Sequence, residues 1–219
     1  MKNELANNIR KPFLPKKLEE ITCQVEDVIT DDCILSGKFF RKYFFPPDIV
    51  SGSGEFIQNV FDQCTLDHVH IINALFRNNK FDSCSLANAD FNHSKLERME
   101  FNDSKLLGAS FAFSSGADLS FIRANCQFAD FRETKFRRAF FEGCDLREAD
   151  FQGADLRGAT FHNCDLRQAQ FSFALLNGTN FCESNLEGIR VQPESLRGAI
   201  VDYHQSAYLG ALLLKLTIR

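Results

Sequence analysis

The sequence predicts an all-β solenoid, a rod in which the chain winds into square coils of about twenty residues. Three observations support this fold class. A large apolar residue recurs at every fifth position from Phe56 to Val201, a small residue stands two positions before most of these, and residues twenty apart have similar side chains. A helix would repeat its apolar residues about every 3.6 positions and a strand about every two, so neither element explains a period of five.

The period of five is explained if each five-residue unit turns the chain by a quarter, so that four units close one coil. The central residue of each unit and the small residue two positions earlier then point into the coil. Because so narrow an interior is close-packed, a large side chain at one position requires a small one at the other. Successive coils stack as parallel strands do, about 4.8 Å apart.

One column of residues twenty apart is entirely aromatic, and we expect it to form the structural core. Its members are Phe61, Phe81, Phe101, Phe121, Phe141, Phe161 and Phe181. Aromatic rings stacked with an offset gain about 0.5–1.5 kcal/mol per pair beyond burial. The chain has 24 phenylalanines and no tryptophan, and we assign this excess to the core and not to a cofactor pocket.

Four consecutive or neighbouring units between Cys144 and Gln168 read "CDLRE", "ADFQG", "ADLRG" and "CDLRQ". They resemble the repeats of the pentapeptide-repeat proteins, whose pattern is Ala or Cys, then Asp or Asn, then Leu or Phe, then two further residues. In-phase units cover about two-thirds of the chain. The resemblance implies a right-handed quadrilateral β-helix.

We divide the chain into an N-terminal lead-in or cap at 1–22, the β-helix at 23–201, and a C-terminal helix and tail at 202–219. The repeat before Phe45 runs in a different phase, because eleven residues separate Phe45 from Phe56 where two units need ten. Prolines and glycines in "PPDIVSGSGE" place an interrupting loop at 46–55. Gly116 replaces a core side chain and predicts an irregular coil around it.

The composition excludes several classes of protein. The net charge of −4 has the wrong sign for a protein that attracts nucleic acid by bulk charge. The N-terminus has no apolar signal-peptide core, and no run is long enough to span a membrane, so we predict a cytoplasmic protein with no membrane contact and no direct contact to nucleic acid. The eight cysteines include no CxxC spacing, and we expect no metal site.

No sequence motif suggests catalysis. The chain has no phosphate-binding glycine loop, no nucleophile elbow and no metalloprotease motif. A filled β-helix also lacks the concave interior that ligand sites need. We therefore predict that the protein is not an enzyme, has no cofactor and no small-molecule substrate, and acts through its outer surface.

Two acidic columns and the loop are the candidate partner-binding residues. One column holds Asp90, Asp130 and Asp150, and another holds Asp145 and Asp165; the loop contributes Pro47, Asp48 and Ile49. Regular carboxylates along a narrow rod would imitate the phosphates of duplex DNA, so a DNA-binding protein is one candidate partner. The alternative interpretation is that these aspartates belong to the repeat and stabilise its turns.

The C-terminal segment is more apolar than a cap requires. The pattern predicts a short helix over 202–212 and an apolar tail behind it. The candidate dimer-interface residues are Tyr208, Leu209, Leu212, Leu213, Leu214, Leu216 and Ile218. We predict a homodimer joined through this segment; the alternative is a lid over the last coil.

Within the family, the chain is similar to the Qnr-type proteins in length, in its interrupting loop and in the segment "LRGAIVDYHQSAYLGALLLKLTIR". This resemblance implies a homodimer that binds DNA gyrase or topoisomerase IV and protects it from quinolones or from a gyrase-directed toxin. The single clear loop and the basic stretch Arg132–Arg138 depart from that group. The alternative function is a structural or scaffolding rod that binds a different protein.

Overall fold

The computed structural model describes residues 9–21, 32–47 and 50–214. Within these ranges the chain forms thirteen strands and a single C-terminal helix. The strands are β1 (Glu19–Glu20), β2 (Ile34–Ser36), β3 (Lys38–Arg41), β4 (Val50–Ser51), β5 (Glu55–Ile57), β6 (Val60–Asp62), β7 (His70–Ile71), β8 (Leu75–Arg77), β9 (Lys80–Asp82), β10 (Lys95–Asn102), β11 (Ser115–Ile122), β12 (Lys135–Glu142) and β13 (Thr160–His162), and the helix is α1 (Tyr203–Leu214). All pairings between these strands are parallel, which confirms the predicted all-β solenoid.

Equivalent residues of successive coils lie twenty positions apart. β10, β11 and β12 pair in this order, with Phe101, Phe121 and Phe141 in register. Between the strands the same spacing continues through single bridges such as Asp130↔Asp150. Because the hydrogen bonds join one coil to the next, residues with the same role form columns along the rod.

We name the four faces of the rod by their core residues, in the order in which the chain passes them. Face A holds Phe56, Phe76, Leu96, Gly116, Phe136, Leu156 and Leu176; face B holds Phe40, Phe61, Phe81, Phe101, Phe121, Phe141, Phe161 and Phe181; face C holds Phe45, Leu66, Leu86, Leu106, Cys126, Leu146, Leu166 and Leu186; face D holds Ser51, Ile71, Phe91, Phe111, Phe131, Phe151 and Phe171.

The core consists largely of two facing stacks of phenylalanine rings. Neighbouring rings of the face B stack have centroids 4.5–5.2 Å apart and lie within 9° of parallel. The rings of face D meet them edge to face, as in the pair Phe121–Phe131 at 6.0 Å and 89°. All of the phenylalanines in the face B stack are at most 2% exposed. The interior is therefore filled with side chains.

Most corners of the rod are tight turns that require a left-handed residue. At one of them the Ala89 N–H donates to the Leu86 carbonyl at 3.2 Å, and Asn88 has a φ of 54°. A β-turn with positive φ at its third residue favours glycine or asparagine there. This position, two residues after the core residue, repeats along the rod and holds glycine or, with few exceptions, a polar residue.

The coil around Gly116 keeps the twenty-residue register with both neighbouring coils, and nearby side chains fill the space of the missing core side chain. A Cβ on Gly116 would lie 2.2 Å from the Leu96 carbonyl oxygen, so β11 approaches β10 more closely than any other residue type would allow. Met99 and Leu119 take positions that hold small residues elsewhere, and both are fully buried. We interpret these two large side chains as replacing the volume that Gly116 leaves out.

The register locates the extra residue of the predicted loop. Phe40 pairs with Phe61 at a spacing of 21, whereas Ser51 pairs with Ile71 at a spacing of 20, so the insertion lies between Phe45 and Ser51. Part of the predicted loop is regular: β4 and the start of β5 fall within 46–55, and Ser51 is fully buried at a core position of face D.

The N-terminal segment lies along the outside of the rod, on the edge between faces A and B. The Arg10 N–H donates to the Asp118 carboxylate at 3.2 Å, and the Phe13 N–H donates to the Asn78 side chain at 3.1 Å. Glu19 then pairs with Lys38 as β1 joins β3. We call residues 9–18 the strap; from Asp118 to Lys38 it passes four coil spacings, about 19 Å.

Helix α1 closes the far end of the rod. Asp202 and Gln205 form a reciprocal capping box, in which each backbone N–H donates to the other's side chain at 3.0 and 2.9 Å. The Gln205 amide also donates to the carbonyls of Phe181 and Ser184 at 2.6 and 2.7 Å, and Leu209 is buried against the core. The helix therefore satisfies backbone groups and covers apolar surface that the last coil would otherwise expose.

Candidate functional site

The predicted acidic columns are present on faces C and D, and their carboxylates are engaged within the protein. Asp130 pairs with Arg132 at 2.7 Å, and Asp145 pairs with Arg147 at 2.6 Å. Asp165 is held by Arg167 at 2.7 Å. These ion pairs leave the columns with much less free negative charge than the aspartates alone suggest.

The aspartates also support the turn that follows them. The carboxylate of Asp90 accepts the N–H of Asn92 at 2.9 Å, and that of Asp150 accepts the N–H of Gln152 at 2.9 Å. Such a bond to the backbone two residues ahead stabilises a turn. Hydrogen bonding and charge from Arg167 also hold the pKa of Asp165 below its usual value. The geometry thus gives these residues a structural role within the repeat.

The remaining predicted surface residues belong to the loop and to the C-terminal segment. Pro47 is exposed next to the insertion, whereas Asp48 and Ile49 lie outside the described residues. In α1, Leu212 is 41% exposed, but Leu213 packs against the core and the Tyr208 hydroxyl accepts the Gly188 N–H at 2.6 Å.

Leu209 is buried, so it too faces the protein's own rod. Nothing is described for the Leu214 side chain, and Leu216 and Ile218 lie outside the described residues. The part of the predicted interface that the structure describes therefore contacts the last coil, except at Leu212.

Three exposed phenylalanines form a feature that the sequence pattern did not reveal. Phe113, Phe128 and Phe173 are 56%, 55% and 70% exposed, and their φ angles are 60°, 57° and 61°. A bulky residue in the left-handed region is an outlier, because it adds backbone strain where glycine or asparagine has little. Because these three rings are exposed to solvent, burial of apolar surface does not compensate for the backbone strain. These residues are the strongest sign of an interaction surface in the described chain.

Phe113 lies at the corner between faces D and A, in the middle of the rod. Its ring stacks on His93 of the preceding coil, with centroids 5.1 Å apart and planes 6° from parallel. The neighbouring Ala112 is small and buried, so it does not cover the ring of Phe113. Two residues after Phe113 the chain enters β11 on face A.

A concave region on face A begins at this point; we call it the notch. Its floor is Ser115–Gly116–Ala117, and the longer side chains of β10 and β12 rise on either side. Six cationic residues and three carboxylates line it, around a volume of about 530 Å³. The lining residues other than the floor are Arg10, Lys95, Glu97, Arg98, Asp118, Lys135, Arg137, Arg138 and Asp155.

Asp118 fixes the edge of the notch to the strap. It is 3% exposed, and its carboxylate receives two hydrogen bonds from Arg138 at 2.6 and 2.7 Å besides the Arg10 N–H. Burial alone would raise the pKa of Asp118, but the Arg138 guanidinium and the Arg10 N–H outweigh it and hold that pKa below its usual value. The strap and the notch are therefore joined through one ionised carboxylate.

Two buried cysteines in the core are unlike reactive thiols, which need a lowered pKa. Cys126 and Cys144 are buried, and burial raises the pKa of both thiols. In residues 9–21, 32–47 and 50–214, no group of three or more His, Cys, Asp or Glu residues could hold a metal ion. No helix in the same ranges is long and apolar enough to cross a membrane.

A family model described as pentapeptide repeats matches the chain in eight copies, over residues 60–98, 124–163 and 164–188. The chain belongs to the pentapeptide-repeat family. The matched residues include most of the two phenylalanine stacks and the paired acidic columns, so the family pattern accounts for the columns and for much of the core. Residues 99–123 are not matched, and they contain Phe113, the floor of the notch and both compensating residues, Met99 and Leu119.

Several solved pentapeptide-repeat proteins are similar to this one. HetL from the cyanobacterium Nostoc sp. strain PCC 7120, which is involved in heterocyst differentiation regulation, matches at a TM-score of 0.57 and 16% identity over 92% of both chains. A trypsin-treated form of QnrB1, a plasmid-mediated fluoroquinolone resistance protein, matches at 0.39 and 22% identity over 85% of this chain and 97% of its own. A protein of the Arabidopsis thaliana thylakoid lumen matches at 0.24 and 26% identity over 59% of this chain and 70% of its own.

At 16% identity, the match to HetL shows a shared fold. No curated protein matches this pentapeptide-repeat protein.

Proposed function

We propose that this pentapeptide-repeat protein is a non-enzymatic binding protein that docks a type II DNA topoisomerase, DNA gyrase or topoisomerase IV, on its outer surface. Because the core is filled with side chains, the outer surface of the rod is what a partner would contact. The contact is centred on Phe113 and includes the neighbouring exposed aromatics on the edges of face D. Protection of the topoisomerase from a quinolone or a toxin is the expected consequence.

The observation that carries this proposal is the exposure of Phe113, Phe128 and Phe173 at positive φ. In the free protein each of these residues adds strain and leaves an apolar ring in water. A partner that covers such a ring gains about 1.5–3 kcal/mol from its burial. Aromatic side chains are also over-represented among the residues that dominate binding energy at interfaces.

The topoisomerase is proposed as the partner because of the resemblance to Qnr-type proteins in the loop and the C-terminal segment. Phosphate imitation is not the basis of the proposal, since Asp130, Asp145 and Asp165 are paired with arginines two residues ahead. We therefore assign the binding to shape and aromatic contacts rather than to the acidic columns.

A scaffolding rod for a different protein is the second candidate, and the same ion pairs favour it. A surface with paired charges and exposed aromatic rings suits protein partners in general. HetL, which shares the fold, is involved in regulation of cell differentiation, so a regulatory scaffold is the form we propose for this alternative.

We also propose self-association through apolar side chains that are exposed at the α1 end of the rod. Tyr203 and Leu212 are 82% and 41% exposed, and Ile200, just before the helix, is 49% exposed. These apolar side chains lie at the same end of the rod and are not used by the cap. A second copy of the chain is the partner that we assign to them.

The test of the proposed function is a supercoiling assay with purified DNA gyrase and a quinolone, with and without the protein. We expect the protein to restore supercoiling at quinolone concentrations that stop it. A pull-down with the purified protein runs in parallel. No protection and no binding to gyrase or topoisomerase IV would exclude the topoisomerase, and recovery of one different protein in stoichiometric amount would support the scaffold.

A further inference from the structure

The notch on face A has a local charge that the whole chain does not share. Lys95, Ser115 and Lys135 are in register on successive coils, so two lysines stand on either side of a serine. Arg98, Asp118 and Arg138 form a parallel column at the corner. The coil of β11 contributes only small side chains and the buried Asp118 carboxylate to the notch. The coils of β10 and β12, on either side, contribute most of the cations.

Four of the six cations that line the notch, Arg10, Arg98, Lys135 and Arg137, form no salt bridge with any residue in the described ranges. The side chains of Lys135 and Arg137 also make no hydrogen bond within those ranges, and both are exposed; Lys135 lies beside Asp155, whose carboxylate is held by Arg157 at 2.7 Å. Other cations at the rim are engaged, as in the pairs Lys95–Glu97 at 2.9 Å and Arg138–Asp118 at 2.6 Å. A free guanidinium beside a free ammonium is suited to bind carboxylates, since arginine pairs with a carboxylate through two parallel hydrogen bonds.

We infer that the notch binds an acidic segment of a protein partner, with Arg137 and Lys135 as its main contacts. The inference deepens the proposed function and rests on the partner being a protein. Phe113 stands two residues before the floor of the notch, so one partner can cover the aromatic ring and place carboxylates on face A. Phe113 and the floor of the notch fall within 99–123, which the family pattern does not match, whereas Lys135 and Arg137 lie within the matched residues 124–163.

The shape and the charge favour an acidic peptide over nucleic acid. The outer strands β10 and β12 are two spacings apart, about 10 Å, which admits one extended peptide chain but not a duplex. Glu97 and Asp155 border the notch, and each would repel a continuous run of phosphates.

The inference is tested with a fluorescein-labelled oligoglutamate peptide, whose anisotropy is titrated with the full chain at low ionic strength. We expect saturable binding that Arg137→Glu weakens by about tenfold and Lys135→Glu weakens similarly, because each variant reverses one charge in a concave site. Arg167→Glu is the matched control: it makes the same charge change on face C, at a residue already paired with Asp165. It should leave the affinity within about twofold.

Thermal denaturation shows whether each variant is folded. If Arg137→Glu does not fold, Arg137→Gln removes the charge of Arg137 without reversing it. Absence of peptide binding to the wild type would overturn the inference. Equal weakening by Arg167→Glu and Arg137→Glu would overturn it as well, since it would indicate attraction by overall charge. Tighter binding of a labelled oligothymidylate than of oligoglutamate, lost in Arg137→Glu, would assign the notch to nucleic acid instead. Because no topoisomerase is present, the result is independent of the supercoiling assay.

Discussion

The rings of Phe121 and Phe141 lie 4.6 Å apart between centroids and 5° from parallel. This distance is close to the spacing of parallel strands, about 4.8 Å, so ring stacking and backbone pairing reinforce each other. The same match repeats along face B. The rod is therefore stabilised by a continuous aromatic column, and any one member can be used to test it.

Phe141→Ala should lower the free energy of unfolding by about 3–5 kcal/mol, because it removes a fully buried ring and leaves a cavity that the stacked neighbours cannot fill. Phe141→Asp should be worse, since the carboxylate would be buried without a partner. Chemical denaturation monitored by circular dichroism provides the measurement. The exposed Phe173 is the control, and Phe173→Ala should change stability little. A Phe141→Asp variant that unfolds like the wild type would show that the ring does not point inward.

Gly116→Ala should destabilise the protein by about 1–3 kcal/mol through overpacking, since the new Cβ would meet the Leu96 carbonyl oxygen. Gly158→Ala is the matched control on the same rod. Gly158 has a φ of +71°, and the Cβ of an alanine there would meet no atom within 4 Å. The variant should therefore show only the strain of a left-handed alanine, about 1 kcal/mol. Thermal denaturation of both variants gives the comparison. A smaller effect at Gly116 than at Gly158 would mean that β11 has room to move away from β10.

Asp118→Asn should lower stability at neutral pH by about 1–2 kcal/mol, because it weakens charge-assisted hydrogen bonds at a buried site. The lowered pKa of Asp118 in the folded protein means that its stabilisation is complete above the unfolded pKa, about 4, and is lost as the pH falls through the folded value. The difference between wild type and variant should therefore shrink in acid. Denaturation curves across this pH range measure it.

Asp103→Asn is the control for that experiment. Asp103 is paired with Arg123 at 2.6 Å, but both side chains are well exposed, so the change in stability should be smaller. Limited proteolysis at neutral pH should cut the strap faster in Asp118→Asn than in the wild type. Equal cleavage rates would show that the Arg10–Asp118 contact does not hold the strap.

The period of five was sufficient to predict the solenoid, its twenty-residue register and the aromatic core, because each depends on side chains that point inward. It could not predict which corner residues are strained, since positive φ at Phe113 or Phe128 follows from the turn geometry and not from the repeat of apolar residues. One signal was available: the corner positions with positive φ otherwise hold glycine or polar residues, so phenylalanine there is an exception.

The five-residue repeat could not predict the notch or the strap, for a different reason. Both depend on contacts between residues far apart in the chain, such as Arg10 and Asp118, for which no period exists. Gly116 predicted an irregular coil, but not that Ser115 and Ala117 would form the floor of a cationic concavity. The ion pairs of the acidic columns were implied by the Asp-x-Arg spacing in "CDLRE" and "CDLRQ", and the corner geometry brings the two side chains together.

Leu212→Glu should convert the proposed homodimer to a monomer without lowering the melting temperature, because Leu212 is exposed near the end of α1. Leu209→Glu should instead destabilise the fold, since Leu209 is buried against the last coil. Light scattering coupled to size-exclusion chromatography measures the mass of each variant. A wild type that is monomeric at high concentration, or a Leu212→Glu variant that stays dimeric, would restrict the helix to its role as a cap.

The most direct test of the account is the affinity of purified DNA gyrase for the wild type, for Phe113→Asn and for Asp150→Asn, measured by biolayer interferometry. Asparagine suits the positive φ at Phe113, and at Asp150 it keeps an oxygen for the Gln152 N–H, so both variants should fold. We predict that Phe113→Asn weakens binding by about tenfold or more and that Asp150→Asn leaves it within about twofold. Unchanged affinity for Phe113→Asn together with a large loss for Asp150→Asn would contradict the account and assign the binding to the acidic columns.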